Sequence, residues 1–268
     1  MFPGAHARVH RFEPAVEFLL GWAAAMEKPW VIGHRGASGH APENTMASFR
    51  RAAELGARFV ETDLHLSRDS HLVSIHDPTL ERTTNGRGAV RDYNLAELRK
   101  LDAGSWFGAE FAGQRIPTLE EILRFAREAD MVFYLEIKSE PGLGLHHALI
   151  SALRAPEDAA RSVVISFDSV ILEKIRRLDT TLMTGLLFDH PIPDMVEQAQ
   201  RLGTRQLAPR GDLVTPELVG QAHQADLQVV TWTVNQPDLM RATIAAGVDG
   251  IMTDYPDRLI AVLQEPRG

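Results

Sequence analysis

Four groups of side chains in this sequence could do chemistry together. His34-Arg35-Gly36 follows the apolar run Trp30 to Gly33, Glu61 and Asp63 stand two residues apart, His76-Asp77 closes the stretch HLVSIH, and Glu136 lies in LEIK, which ends at Lys138. An imidazole, a guanidinium and a glycine where a strand gives way to a helix make a phosphate-handling layout. The helix N-terminus offers free N–H groups and a positive dipole end, Arg35 a planar fork of donors, and Gly36 a close backbone approach. Glu61 and Asp63, at i and i+2 of one strand, leave it on the same side. Carboxylates pointing together into an apolar interior repel each other unless a cation or bases neutralise them. With Glu136 from a neighbouring strand the set is three carboxylates and no thiolate, the ligand chemistry of a hard divalent cation, Mg²⁺ or Ca²⁺. A buried ion-pair network with Arg35 and Lys138 is the alternative. His34 and His76, flanking a metal-bound phosphate, would let one remove a proton and the other donate one. His65 continues the alternation of Glu61 and Asp63 as an outer neighbour. His40 is the one further histidine with a claim on the site.

These residues need a frame that brings strand ends together. From Trp30 onward short β-branched runs alternate with helical stretches, at 30–33, 58–64, 131–137, 162–167, 182–187, 206–209, 228–234 and 249–253. Such alternation signals parallel strands joined by crossover helices, and eight strands close an α/β barrel of the (β/α)8, or TIM, class. Thr118-Leu-Glu-Glu121 is a capping box, Thr215-Pro216 an N-cap with proline in the first turn, and Gly56, Gly203 and Gly247 fall where helices should stop. One irregularity interrupts the series. Residues 71–76 read as an extra antiparallel strand after a turn at Arg68-Asp69-Ser70, and residues 77–115 as an insertion following the second strand. In such a barrel the loops after the strands carry the chemistry, at the C-terminal face.

No linker divides residues 30–268, so one domain is expected there, preceded by an extension over 1–29. Val16 to Met26 reads as a helix too short to span a bilayer, packed on the barrel or, alternatively, meeting a membrane surface or a second copy of the chain in a homodimer. At 268 residues and 44% hydrophobic content the chain can bury a large core. The net charge of −8, with arginines interleaved by acids, argues against nucleic acid as partner. With no cysteine there are no disulfides and no thiolate chemistry, and a reducing cytoplasm is the expected home.

The order HRG at 34, PENT at 42, ETD at 61, IHD at 75, RIPTLEEIL at 115, LEIK at 135, ISF at 165, TWTVN at 231 and GIMTDYP at 250 resembles the glycerophosphodiester phosphodiesterases across nearly all of residues 30–265. The resemblance implies a TIM barrel with a small insertion after the second strand. It also implies an acid–base pair at His34 and His76, and a divalent cation held by Glu61, Asp63 and Glu136. Arg35 would contact the phosphate, Lys138 would share the anionic charge, and Trp232 would wall the pocket or pack in the core. Glu43 would act around metal and substrate or, with Asn44, cap the first helix. Asp254 is expected only to order the last loop. The implied reaction is hydrolysis of a glycerophosphodiester to sn-glycerol 3-phosphate and an alcohol. Attack by water and a cyclic phosphate route both stay open. Two rival readings share these residues. One is a lysophospholipase D-like or related phospholipid phosphodiesterase, with Leu101, Trp106, Phe107 and Phe111 of the insertion available to an acyl chain. The other is a non-catalytic glycerophosphodiester-binding module, which loss of a histidine or ligand would favour; none is missing.

Overall fold

Residues 29–138 and 144–266 are described by a computed structural model of the chain. The strands are β1 (Trp30–Gly33), β2 (Phe59–Leu66), β3 (Leu72–Ser74), β4 (Val132–Ile137), β5 (Ser162–Ser166), β6 (Met183–Phe188), β7 (Gln206–Pro209), β8 (Gln228–Thr231) and β9 (Gly250–Thr253). They form one sheet in the order β1-β9-β8-β7-β6-β5-β4-β2-β3, and a further pairing of β1 with β2 closes it. Every neighbour pair is parallel except β2 with β3, so eight of the nine strands make a closed parallel barrel and β3 is a hairpin partner outside it. This is the expected TIM barrel.

Alternation along the strands sorts side chains between two cores. Trp30, Ile32, Phe59, Val132, Tyr134, Val163, Ile165, Met183, Leu187, Ala208, Val230 and Met252 fill the barrel interior. The alternate residues pack outward against helices, in one cluster with Phe49, Leu119, Ile122 and Leu149 and another with Leu207, Val229, Met240 and Leu259. Burying each such aliphatic or aromatic side chain stabilises the fold by about 1.5–3 kcal/mol. The same alternation carries charge inward at the strand ends. Phe59 is followed in phase by Glu61 and Asp63, and Val132 and Tyr134 by Glu136, while the register sets Asp63 level with Glu136.

Local signals fall where expected. Thr118 caps the helix Leu119–Glu128 in a reciprocal box with Glu121. Thr215 caps Pro216–Gln224, and Gly56, Gly203 and Gly247 follow their helices with φ of 94°, 67° and 88°. The turn before β3 centres on Ser70, φ 65°, with Ser67 bonded to His71 in both directions. β8 is shorter than the run 228–234 because the chain leaves the barrel after Thr231. Trp232 keeps one isolated pairing with Arg210, and the next residues turn toward the mouth. The insertion has a small core of its own, Leu80, Val90, Leu98 and Ala103 packed on Val73, Ile75 and Ile116. The helix expected at Val16 to Met26 lies outside the described residues. Among the described residues no helix is long and apolar enough to cross a membrane.

Candidate active site

The loop after β1 turns sharply to reach the first helix, Met46–Glu54. Arg35 has φ 54°, Gly36 φ 89° and Asn44 φ 55°, all left-handed. At Gly36 a Cβ would lie 2.4 Å from Ser48 Oγ, so only glycine lets this turn press against the helix. The turn consumes its own donors. The N–H groups of His34, Gly36 and Ala37 go to Thr253, Gly33 and Ser48 carbonyls, and that of Arg35 to Glu61 Oε2 at 2.9 Å. The loop N–H groups of residues 34–37 are therefore spent inside the fold and are not open to an anion. Thr45, not Glu43 or Asn44, caps the helix, in a box with Ser48. Asn44 is instead buried between the strands. Its amide donates to Asp63 Oδ2 at 2.8 Å, while its carbonyl accepts from Thr62 Oγ1 at 2.8 Å and from Asp63 N at 3.2 Å.

Glu61, Asp63 and Glu136 meet as predicted, buried, each with a carboxylate oxygen within 4.8 Å of the others'. The ion-pair network weighed against a metal for this cluster is present in part. Lys138 Nζ lies 2.7 Å from Asp63 Oδ1 and 2.5 Å from Glu136 Oε1, and Arg35 Nε 3.3 Å from Asp63 Oδ2. Two cations do not balance the set locally. Glu61 Oε1 is buried with no hydrogen-bond partner, and Asp63 Oδ1 has its ammonium contact without an aligned hydrogen bond. Burial pushes the Glu61 carboxyl well above the ordinary range, and the charges of Asp63 and Glu136 add to it. Glu136 is raised by burial and by Asp63. Burial acts on Asp63 too, but Lys138 and Arg35 outweigh it and hold that carboxyl below the ordinary range. A charge-frustrated oxygen cluster with an orphaned buried acceptor could hold a metal ion.

Two imidazoles flank the cluster. His34 is held at Nδ1 by Asp254 Oδ1, 2.6 Å, leaving Nε2 3.9 Å from Glu61 Oε2 and 3.4 Å from Thr233 Oγ1. His76 is held at Nδ1 by Asp77 Oδ1, also 2.6 Å. Asp254 is further gripped by Ser38 Oγ and Asn235 Nδ2, and Asp77 by Arg82. Burial opposes ionisation of Asp254, yet the bonds from His34, Ser38 and Asn235 hold it at about 2, and Arg82 holds Asp77 at about 2. Ionised aspartates only accept, so each Nδ1 is the donor and each Nε2 is the ring nitrogen not bound to an aspartate. Burial pushes His76 below the ordinary histidine value.

The remaining candidates lie around this centre. Both oxygens of Glu43 are occupied, by Arg35 and Arg82 at 2.8 Å. Trp232 donates Nε1 to Ala208 O and meets Phe167 edge-on, ring centroids 5.2 Å apart, at the barrel mouth. Phe167 is 43% exposed and, with Glu136, Lys138, Ser166 and Asp168, lines a cavity of about 410 Å³. His65 is buried behind the site, Nε2 3.0 Å from His76 O, and His40 pairs with Asp257 away from the cluster. A hollow of about 550 Å³ between Pro29, His223, Arg241 and Asp249 lies at the opposite, N-terminal end of the strands. Sequence reasoning missed Asn44 as a strand clamp and Arg82 altogether, and undervalued Asp77 and Asp254. The aspartate directly after His76 was the available signal for one of them.

The model of the glycerophosphoryl diester phosphodiesterase family matches residues 34–258, which span every residue of this centre. The chain belongs to that family. As a phosphodiesterase it has relatives of similar length. A glycerophosphodiester phosphodiesterase of Caldanaerobacter subterraneus is 41% identical over 240 residues, 89% of this chain and 99% of that protein. The structure of an Oleispira antarctica phosphodiesterase in complex with the product sn-glycerol-3-phosphate matches with a TM-score of 0.83 at 31% identity, covering 88% of this chain and 97% of that one. A glycerophosphodiester phosphodiesterase from Agrobacterium tumefaciens matches with a TM-score of 0.78 at 26% identity, over 87% of this chain and 99% of that one.

Proposed function

We propose that this phosphodiesterase hydrolyses glycerophosphodiesters to sn-glycerol 3-phosphate and an alcohol, using a divalent cation, Mg²⁺ or Ca²⁺, and His34 and His76 as its acid–base pair. The observation that carries the reading is the orphaned, buried Glu61 Oε1 within a three-carboxylate cluster flanked by two aspartate-held imidazoles. The product named for the Oleispira antarctica structure supports the substrate class.

Glu61, Asp63 and Glu136 would hold the cation. When bound, it supplies positive charge to the non-bridging phosphoryl oxygens, where charge must be tolerated in the transition state. Arg35 donates to the same oxygens, its guanidinium tethered by Glu43 so that it need not be ordered during reaction. Lys138 adds charge from the β4 side. One imidazole Nε2 accepts the proton of the attacking hydroxyl, and the other protonates the leaving alcohol oxygen. Trp232 and Phe167 form an apolar wall that excludes water from one side of the mouth.

The test is a metal-stripped preparation assayed on glycerophosphocholine, glycerophosphoethanolamine and lysophosphatidylcholine, with Mg²⁺ or Ca²⁺ restored. Metal-dependent release of sn-glycerol 3-phosphate from the first two is expected. Turnover confined to lysophosphatidylcholine, with choline or a cyclic phosphate as product, would replace this reading with the lysophospholipase D-like one. Tight ligand binding with no turnover on any substrate would leave a binding module.

A further inference from the structure

Arg82 belongs to the insertion and to none of the motifs above, yet all three nitrogens of its guanidinium are engaged. Its Nε and one terminal nitrogen meet Asp77 at 2.7 and 3.0 Å, and its two terminal nitrogens meet Glu43 at 2.8 Å each. Behind each carboxylate stands a residue of the proposed site. Asp77 holds His76 Nδ1 at 2.6 Å, and Glu43 holds a terminal nitrogen of Arg35 at 2.8 Å. The contacts His76–Asp77–Arg82–Glu43–Arg35 are therefore unbroken, and they join the loop after β3 to the loop after β1. The Arg35 end returns to the carboxylate cluster, its Nε 3.3 Å from Asp63.

Stability alone does not account for this arrangement. The Arg82 side chain is 42% exposed, and a simple ion pair at such a site adds little stability. Two paired contacts to planar carboxylates instead fix direction, which a point charge could not do.

We infer that Arg82 is a positioning residue for phosphodiester hydrolysis, a single guanidinium that fixes His76 and Arg35 relative to one another across the phosphate. The inference rests on the function proposed above. Arg82 keeps Asp77 as a pure acceptor, so that His76 Nδ1 stays the donor and Nε2 faces the reaction. It also occupies Glu43, keeping that carboxylate on Arg35 and away from the cation. Without Arg82 Asp77 keeps only its bond to His76 and Glu43 only its bond to Arg35, and the imidazole and guanidinium lose their common reference.

The experiment compares Arg82→Ala, Arg82→Lys, Asp77→Asn and the double variant Arg82→Ala/Asp77→Asn on glycerophosphocholine at saturating metal. Circular dichroism and Tm establish the folded fraction. For Arg82→Ala we expect kcat to fall about 10- to 100-fold, the usual consequence of removing a group that orients an active-site ligand. Arg82→Lys should not restore it, because an ammonium cannot hold both carboxylates in paired contacts. Free guanidinium should restore part of the kcat of Arg82→Ala and none to the wild type. The double variant should be within about twofold of Asp77→Asn, the mark of residues acting as one unit. Wild-type kcat in either Arg82 variant, losses that multiply in the double variant, or a loss that tracks Tm without guanidinium rescue would each overturn the inference. His34→Ala and His76→Ala serve as the control on the underlying reading. If both turn over normally, the proposed mechanism fails; if both are inactive while Arg82→Ala is normal, only the role of Arg82 fails.

Discussion

His34 Nδ1 and Asp254 Oδ1 lie 2.6 Å apart although 220 residues separate them in the chain. The contact exists because β1 and β9 are paired, Gly33 opposite Thr253, so that the next residue of each strand faces its counterpart at the barrel mouth. The aspartate is itself fixed by Ser38 and Asn235. One imidazole of the site is thus oriented by the closure of the barrel.

Replacing Asp254 by Asn keeps the shape but offers His34 an amide in place of an anion. We expect kcat to fall about 10- to 100-fold with KM changed far less. His34→Ala and His76→Ala should lose turnover by orders of magnitude while keeping a wild-type circular dichroism spectrum. Near-normal rates in both would remove the histidines from the mechanism.

Glu61→Gln removes a carboxylate that burial and two like charges disfavour. In metal-free buffer the variant should be more stable than the wild type by on the order of 1 kcal/mol, about 2–4 °C in Tm for a domain of this size. The wild type should gain Tm on adding Mg²⁺ or Ca²⁺, and the variant should not. An unchanged metal-free Tm together with an intact metal-induced shift would exclude Glu61 as a ligand.

Acid sensitivity follows from Asp77 and Asp254, both held at about 2 in the fold. An unfolded aspartate titrates at about 3.9. Their folded values are depressed, so the stabilisation is complete above about 3.9 and is lost as pH falls through about 2. Urea titrations of the wild type and of Asp77→Asn should differ at pH 5 and converge as pH approaches 2. A difference that grows on acidification contradicts the assignment.

Asn44 is buried at φ 55° and satisfies Thr62 and both the backbone and carboxylate of Asp63. Asn44→Ala strips partners from buried polar groups and places a residue with a Cβ and no local hydrogen bond in the left-handed region. We expect a cost of about 2–4 kcal/mol, read as a shift in the urea midpoint. A change below about 0.5 kcal/mol would mean that the clamp is not needed to hold Asp63.

Much of this was legible in the chain. The alternation of strands and helices gave the eight-stranded barrel because strand period and helix period are local properties of the hydrophobic pattern. Glu61, Asp63 and Glu136 could be grouped because i, i+2 spacing decides which face a side chain leaves, and a strand neighbour needs only the strand order. The insertion announced itself by breaking the strand spacing. Thr45 as the cap in place of Glu43 or Asn44 was not legible, since Thr45 and Asn44 are both good capping residues and the choice turned on where the left-handed turn ended.

The sequence by itself determined the barrel and the inward side of Glu61, Asp63 and Glu136, because each follows from periodicity along a stretch of chain, while His34 and His76 stood out by their place after strand ends. Only the tertiary structure decided which nitrogen of each imidazole is held, that the loop N–H groups are spent on Glu61 and neighbouring carbonyls, and that Arg82 joins Asp77 to Glu43. Those facts depend on distances between segments brought together by strand pairing and by one left-handed turn, and no spacing within a single segment encodes them.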